Sequence, residues 1–291
     1  MRRLVFTVSI TCISRVLVVR DLLIGRIGPF RNERFRLEPG LNGQGRFGST
    51  AEASVRRCAI PSGRNMLDAF LAAPTERPAQ AAVLICHGIG ETVEHWLPVQ
   101  RLLAANGVAS LVFDYSGYGR STGLLDHAQC ETDAIAAFEY LQQQTPGAPV
   151  SVLGFSLGSG VATAMITRVA AHRLILCAAF TSLRAAARSM GIPKKLASAL
   201  PHIWRAEEAL RDYSQPVLIV HGTRDRLFPV RMAEELAVYC AADSVLRVIP
   251  DLGHNQPFYE PHLSYWGPIL LHVAPQHREA PRHQDLTGQL K

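Results

Sequence analysis

One stretch of the chain reads Val150-Ser151-Val152-Leu153-Gly154-Phe155-Ser156-Leu157-Gly158-Ser159-Gly160. The apolar run before Phe155 predicts a short buried strand, and residues 157–171 predict a helix, so Ser156 falls at the turn between them. The glycines on either side of the serine allow neighbouring backbone to pass closely. A G-x-S-x-G pattern in this context is typical of a serine whose hydroxyl projects above a sheet. We therefore predict that Ser156 is a nucleophile.

The residues around this turn alternate between short apolar runs and helical patterns. Short continuous apolar strands separated by helices indicate a mostly parallel central sheet with helices on both faces. We predict strands around 53–60, 66–72, 82–86, 109–113, 150–155, 174–178, 216–220 and 245–249. Helices are expected at about 94–106, 129–144, 157–171 and 230–241. Such a sheet carries its functional groups at the carboxyl ends of its strands.

The predicted organisation has three parts: a basic extension and linker at 1–50, an α/β domain at 51–274, and a tail at 275–291. Within the domain, residues 181–214 contain no obvious strand. They form either a helical cap inserted over the strand ends or an irregular crossover. If they form a cap, its apolar side chains should line an apolar pocket. The candidates are Met190, Leu196, Leu200 and Trp204.

The net charge of +6 is confined to one end of the 291-residue chain. Residues 1–36 contain eight arginines, Asp21 and Glu33, so the remaining residues are formally neutral. A basic face for nucleic acid is therefore not supported. This basic arm, residues 1–36, would suit an organelle transit peptide, weak peripheral contact with a membrane surface, an over-extended start codon or a functionless tail. Arg15, Arg20 and Asp21 interrupt its apolar run, so we expect no spanning helix.

The cysteine pattern argues against a metal site. Six cysteines are scattered through the sequence, with no C-x-x-C pair and no local Cys/His cluster. Several lie in apolar strand-like runs, which is typical of buried thiols in a reducing compartment. The sequence thus predicts a cytoplasmic protein that has neither a disulfide scaffold nor a bound metal.

A serine hydroxyl needs a base, and position selects one of the 11 histidines. His254 follows the last predicted strand, which places it at the carboxyl edge of the sheet downstream of Ser156. His87 and His221 also end strands, but each precedes a glycine in a tight turn, where a structural role is expected. We predict His254 as the base.

Two acids compete to orient the imidazole of His254. Asp225 follows the Pro216–Val220 run, and the order Ser156, Asp225, His254 fits a nucleophile–acid–base arrangement. Asp225 could instead cap a helix or pair with a neighbouring arginine. Asp251 lies in the same turn as the histidine. The adjacent-strand position favours Asp225 as the third member.

Negative charge that develops on a substrate oxygen requires preorganised donors. The backbone N–H of Leu157, first on the helix after the serine, is one candidate. The turn His87-Gly88-Ile89-Gly90 after the first long strand offers the other, at the N–H of Ile89. These two groups are the predicted oxyanion hole.

With these parts in order, residues 53–272 resemble the α/β-hydrolase superfamily. Asp114-Tyr115-Ser116-Gly117-Tyr118-Gly119-Arg120-Ser121 is similar to the D-x-x-G-x-G-x-S loop of its esterases and lipases. The resemblance implies a cofactor-free serine hydrolase of esters or thioesters in which 181–214 is the cap. The sequence of this loop is also similar to that of the depalmitoylase branch of the superfamily. The turn that carries the serine, here called the elbow, reads Gly-Phe-Ser-Leu-Gly and differs from the sequence typical of that branch. The depalmitoylase substrate is therefore not carried over to this chain.

Three functions remain open at this point. The first is hydrolysis of a small-molecule acyl ester or thioester through an acyl-enzyme. The second is an acyltransferase, or an aminopeptidase-like amidase, built from the same residues. The third is a binding module that retains the fold without turnover. A binding pocket has no need of Ser156, Asp225 and His254 together, which disfavours the third.

Overall fold

The computed structural model describes residues 53–255 and 261–274. Its strands are β1 (Ala53–Ser62), β2 (Asn65–Pro74), β3 (Ala81–Cys86), β4 (Val108–Phe113), β5 (Val150–Phe155), β6 (Leu174–Cys177), β7 (Val217–Gly222) and β8 (Val245–Ile249). Its helices are α1 (Leu97–Ala105), α2 (His127–Gln144), α3 (Leu157–Met165), α4 (Leu183–Ser189), α5 (Lys194–Ala199), α6 (Ala206–Asp212), α7 (Val230–Ala237) and α8 (Leu263–Val273). The predicted extension at 1–50 and tail at 275–291 lie outside the described residues.

The eight strands form one sheet in the order β1-β2-β4-β3-β5-β6-β7-β8. Strand β2 pairs antiparallel with both β1 and β4, and every other neighbouring pair is parallel. The prediction of a mostly parallel sheet is therefore confirmed.

Both faces of the sheet are covered. In β3, Ala82, Leu84 and Cys86 pack in one apolar cluster with residues of α2 and α3. The alternate residues of the same strand pack in a second cluster with residues of α1 and α8. Because every residue of β3 is buried, its sequence shows no polar alternation.

In three regions the observed secondary structure adds to or differs from the predicted elements. The helix expected over 157–171 ends as an α-helix at Met165 and continues as a 3₁₀ turn, Ile166–Arg168. Residues 181–214 contain the three short helices α4, α5 and α6 and no strand. Helix α8 was not predicted from the sequence, although Trp266 and Ile269 on it are fully buried.

The strand register brings the predicted functional segments to one edge of the sheet. Phe155 at the end of β5 lies opposite Cys177 of β6, and Cys177 lies opposite Val220 of β7. Gly222 at the end of β7 lies opposite Ile249 of β8. The loops after β5, β7 and β8 therefore leave the sheet at the same edge.

Candidate active site

Ser156 occupies a strained turn between β5 and α3. Its φ of 51° and ψ of −117° lie where a residue with a Cβ is rarely found, a strain that surrounding structure must hold. The Ser156 N–H donates to the carbonyl of Cys177 at 3.0 Å, which fixes the turn to the neighbouring strand. The side chain is almost fully buried.

The two elbow glycines are required by close packing. A Cβ built on Gly158 would overlap the carbonyl oxygen of Cys86 at the end of β3. A Cβ on Gly154 would lie 2.5 Å from the carbonyl oxygen of Gly158. The first turn of α3 is thus pressed against the end of β3, which brings the start of this helix to the turn that follows β3.

The structure brings Ser156, His254 and Asp225 together. His254 Nε2 lies 2.9 Å from Ser156 Oγ, and His254 Nδ1 lies 2.7 Å from Asp225 Oδ2. A carboxylate beside Nδ1 favours the tautomer that carries its proton there, which leaves Nε2 free to accept the serine proton. The His254 ring also contacts Phe155 and Phe228, with ring centroids 5.4 and 5.3 Å away.

Asp225 is buried and held from its second oxygen. Oδ1 accepts the N–H groups of Leu227 and Phe228, both at 2.8 Å. Burial alone would raise the pKa of Asp225, but hydrogen bonding and charge from His254, together with the Phe228 N–H, hold the pKa below its usual value. The carboxylate is therefore ionised and fixed where it faces the imidazole.

Asp251 is directed elsewhere. Its carboxylate lies 2.7 Å from Arg224 Nη2, and both side chains are largely exposed. Its backbone has a φ of 60°, and its N–H donates to Thr223 Oγ1 at 2.9 Å. Of the two competing acids, only Asp225 contacts His254 in the described residues.

The two other strand-end histidines make local contacts. The Nε2 atom of buried His221 lies 2.9 Å from the Phe228 carbonyl oxygen, and burial lowers its pKa. Nδ1 of His87 lies 2.8 Å from the Gly88 carbonyl oxygen. His221 therefore supports the loop that carries Asp225, and His87 supports the turn after β3.

The predicted oxyanion donors lie on the two segments that Gly158 brings together. Leu157 is the first residue of α3, and Ile89 is a half-buried residue of the turn after β3. In that turn, the Gly88 N–H is already bound by Glu91 Oε2 at 2.8 Å. The assignment of Ile89 and Leu157 as donors remains a prediction.

The four predicted pocket residues lie in different environments. Trp204 is buried and packs against Phe180 and His127, with ring centroids 6.4 and 5.2 Å away. Leu200 is buried in a small cluster with two alanines, and Met190 is half-buried against the main core. Leu196 is 57% exposed on α5. Their role in an acyl pocket remains a prediction.

Sequence reasoning gave no individual role to two buried acids, Glu91 in the turn after β3 and Asp114 directly after β4. Their signal was a charged residue directly beside the His87–Gly90 turn and another at the end of a buried, mostly apolar strand. Within 53–255 and 261–274, no group of three His, Cys, Asp or Glu side chains is placed to hold a metal ion. No helix in these ranges is long and apolar enough to cross a membrane.

Comparisons with known proteins agree with this architecture. The family model "Serine aminopeptidase, S33" matches residues 77–205. An uncharacterized protein of Mycobacterium tuberculosis is 31% identical over 180 residues, which cover 60% of this chain and 63% of that protein. Lysophosphatidylserine lipase ABHD12 of Danio rerio is 26% identical over 68% of this chain and 58% of its own length. The chain thus spans less than two thirds of these curated relatives.

A solved structure extends the likeness to the fold. Est1E of Butyrivibrio proteoclasticus, with ferulic acid bound, superposes with a TM-score of 0.61 at 22% identity, covering 76% of this chain and 97% of that one. The family model and the lipase carry the names of hydrolases, and the esterase shows the same fold as this chain. Sheet order, serine turn and these likenesses together show that the chain belongs to the α/β-hydrolase superfamily.

Proposed function

We propose that this protein is a serine hydrolase that cleaves carboxylic esters through an acyl-enzyme. The observation that carries the proposal is the contact series from Ser156 Oγ to His254 Nε2, at 2.9 Å, and from His254 Nδ1 to Asp225, at 2.7 Å. These distances are within the reach required of a nucleophile, its base and the group that orients the base.

The chemistry follows from this series. As Ser156 Oγ attacks the acyl carbon, His254 Nε2 takes the hydroxyl proton, and Asp225 stabilises the imidazolium. The bond to the alcohol oxygen then breaks as His254 returns the proton to that oxygen. A water molecule repeats the sequence on the acyl-enzyme, which releases the carboxylic acid and restores the serine hydroxyl.

Buried charge favours an ester over a peptide with a free amino terminus. An aminopeptidase must bind the substrate ammonium, and a buried cation needs a carboxylate partner. The buried acids among the described residues are Glu91, Asp114, Asp133 and Asp225. Each already accepts hydrogen bonds from groups of the protein. Oδ2 of Asp114 has no hydrogen-bond partner, but it is fully buried against Gly119, so this oxygen is not open to a substrate ammonium.

The charge of residues 181–205 favours an ester that carries an anionic group. This segment contains five basic residues and no acidic one. Arg188, Lys194 and Lys195 are exposed, and none of the ion pairs found within 53–255 and 261–274 involves them. The relative from Danio rerio is named for an anionic lysolipid. We therefore include an acyl lysolipid with an anionic headgroup in the proposed substrate class.

The first experiment compares wild type with Ser156→Ala, using a fluorophosphonate probe and p-nitrophenyl butyrate. Wild type should be labelled at Ser156 and should turn over the ester. The variant should lose labelling and lose turnover on the order of 10⁶-fold, the scale for removal of a serine nucleophile. Ser198→Ala, at an exposed serine of α5, is the matched control and should behave as wild type. Wild-type turnover by Ser156→Ala would refute the proposal.

The second experiment separates the substrate classes. Butyryl ester, butyryl thioester and amino-acid p-nitroanilide should be compared, and then p-nitrophenyl esters from acetyl to hexanoyl. We expect the ester to be fastest and kcat/KM to rise with chain length, because each buried methylene contributes about 0.8 kcal/mol. The kcat/KM for lysophosphatidylserine should exceed that for lysophosphatidylcholine with the same acyl chain. The double variant Lys194→Gln/Lys195→Gln should reduce that preference. Fastest cleavage of the anilide would instead favour an aminopeptidase.

A further inference from the structure

The turn between β3 and the 3₁₀ turn Val93–Trp96 is held by a buried carboxylate. Oε2 of Glu91 accepts the backbone N–H of Gly88 at 2.8 Å and the indole N–H of Trp96 at 3.1 Å. Glu91 is only 8% exposed. A carboxylate that accepts N–H groups forms stronger hydrogen bonds than a neutral acceptor, so this side chain ties the start of the turn to its end.

A second buried carboxylate holds the far end of the same turn. Oδ1 of Asp114 accepts the Val93 N–H at 2.9 Å and lies 3.4 Å from His87 Nε2. Asp114 is itself enclosed, since a Cβ built on Gly119 would overlap its carboxylate. The residues from His87 to Val93 are thus fixed at both ends by acids that are removed from solvent.

The Glu91 contact determines which N–H of the turn is free to meet a substrate. Because Glu91 already binds the Gly88 N–H, the N–H of the next residue, Ile89, is the first N–H group of the turn that could face the reacting carbonyl. The turn also rests on the residue before the nucleophile: a Cβ on Gly88 would lie 3.1 Å from the ring of Phe155. The Trp96 ring packs edge-on against that of Phe155 at 6.1 Å.

We propose that Glu91 is a positioning residue, which orients the turn so that the Ile89 N–H points at the developing oxyanion beside Ser156. The proposal rests on the proposed hydrolysis, because an oxyanion forms only if Ser156 attacks a carbonyl. Donors to an oxyanion act through their exact placement, so an acid that sets the turn should change the rate of the chemical step rather than substrate binding.

The chemistry of the acceptor suggests which replacements should be tolerated. Burial raises the pKa of Glu91 above its usual value, although His87 and the two N–H donors oppose the shift. An uncharged acceptor of the same length should therefore fit this site, and Glu91→Gln retains one. Glu91→Asp keeps the charge but shortens the side chain by a methylene, which withdraws the acceptor from Gly88. Glu91→Ala removes it.

The test measures kcat and KM for p-nitrophenyl butyrate, the rate of fluorophosphonate labelling and the thermal midpoint of each full-length variant. We expect Glu91→Asp and Glu91→Ala to lower kcat and the labelling rate about 10- to 100-fold, below the loss for deleting a donor outright. KM should stay within about twofold, and Glu91→Gln should keep kcat within about threefold of wild type. Asp133→Asn is the control, since Asp133 is also buried but accepts hydrogen bonds from Ser62 Oγ and the Ser116 N–H. It should lower the thermal midpoint and leave kcat unchanged.

Several outcomes would overturn the inference. Wild-type kcat in Glu91→Asp would do so, as would a loss of kcat in Glu91→Gln as large as that in Glu91→Ala. If Glu91→Ala does not fold, Glu91→Asp and Glu91→Gln still decide the question. Amide hydrogen exchange of residues 87–92 separates this failure from that of the proposed function. If wild type is neither labelled nor active, the hydrolase proposal fails. Faster exchange in Glu91→Asp would still show that Glu91 holds the turn.

Discussion

Asp225 Oδ2 lies 2.7 Å from Nδ1 of His254, although the two residues are 29 positions apart in sequence. The contact arises because β7 and β8 are parallel neighbours, so the loops at their carboxyl ends leave the sheet together. Asp251, three residues before the histidine, instead forms an exposed ion pair with Arg224. Adjacency of strands, rather than adjacency in sequence, brings the acid to the imidazole.

The first prediction uses this pair of acids. Asp225→Asn should lower kcat for p-nitrophenyl butyrate by about 10³- to 10⁴-fold, because the amide no longer holds the productive tautomer of His254. Asp251→Asn removes an exposed ion pair, which contributes at most about 1 kcal/mol, and should change kcat less than about tenfold. Steady-state kinetics of the two purified variants provide the measurement. If Asp251→Asn is inactive and Asp225→Asn remains active, the acid that orients His254 is misassigned.

The second prediction concerns the packing of the serine turn. Gly158→Ala should prevent normal folding or abolish fluorophosphonate labelling, because the added Cβ overlaps backbone at the end of β3 and backbone cannot yield as a flexible side chain can. Gly267→Ala is the control, since a Cβ there meets nothing within 4 Å. Its gain in helix propensity is opposed by the following Pro268, so little net change is expected. Thermal melts and fluorophosphonate labelling compare the two variants. Equal labelling of Gly158→Ala and Gly267→Ala would contradict the requirement for glycine at position 158.

Much of the fold could be predicted because buried parallel strands have a strong sequence signature. All eight strands overlap predicted strands. The fully buried strands β3 to β7 coincide with the predicted apolar runs, and their shared carboxyl edge follows from parallel pairing. Helix α8 was missed because an apolar, proline-containing segment carries no clear helical period. Glu91 was missed for another reason. Its role depends on a contact with Gly88 and Trp96 that only the folded turn creates.

The third prediction concerns the basic arm. Deletion of residues 1–48 should leave kcat/KM for p-nitrophenyl butyrate within about twofold of wild type, because the removed segment ends before β1 begins at Ala53. Binding to vesicles of an anionic phospholipid should fall at low salt, since the arm carries the net charge of +6 and each basic residue near such a surface contributes about 1 kcal/mol. Vesicle co-sedimentation, with zwitterionic vesicles as the control, measures this. Unfolding of the truncated protein would show that the arm supports the domain.

The last prediction links stability to pH through His272, in the final turn of α8. Burial and the nearby charge of Arg173 lower its pKa from the usual 6.5 to about 4, despite its position at a helix C-terminus that favours a cation. A histidine with a depressed folded pKa binds a proton more readily when the chain is unfolded. Its stabilising contribution is therefore complete above pH 6.5 and is lost as the pH falls towards 4.

We expect His272→Gln to lose about 1–2 kcal/mol less unfolding free energy than wild type between pH 7 and pH 4.5, a figure reduced from the full linkage value because the side chain is only partly buried. Urea unfolding of both proteins at each pH gives the difference between their unfolding free energies. Burial also lowers the pKa of His221, but both proteins contain that residue, so its contribution cancels in the difference. His202→Gln, at an exposed histidine, should follow the wild-type pH dependence. Parallel curves for wild type and His272→Gln would show that the protonation of His272 is not linked to folding.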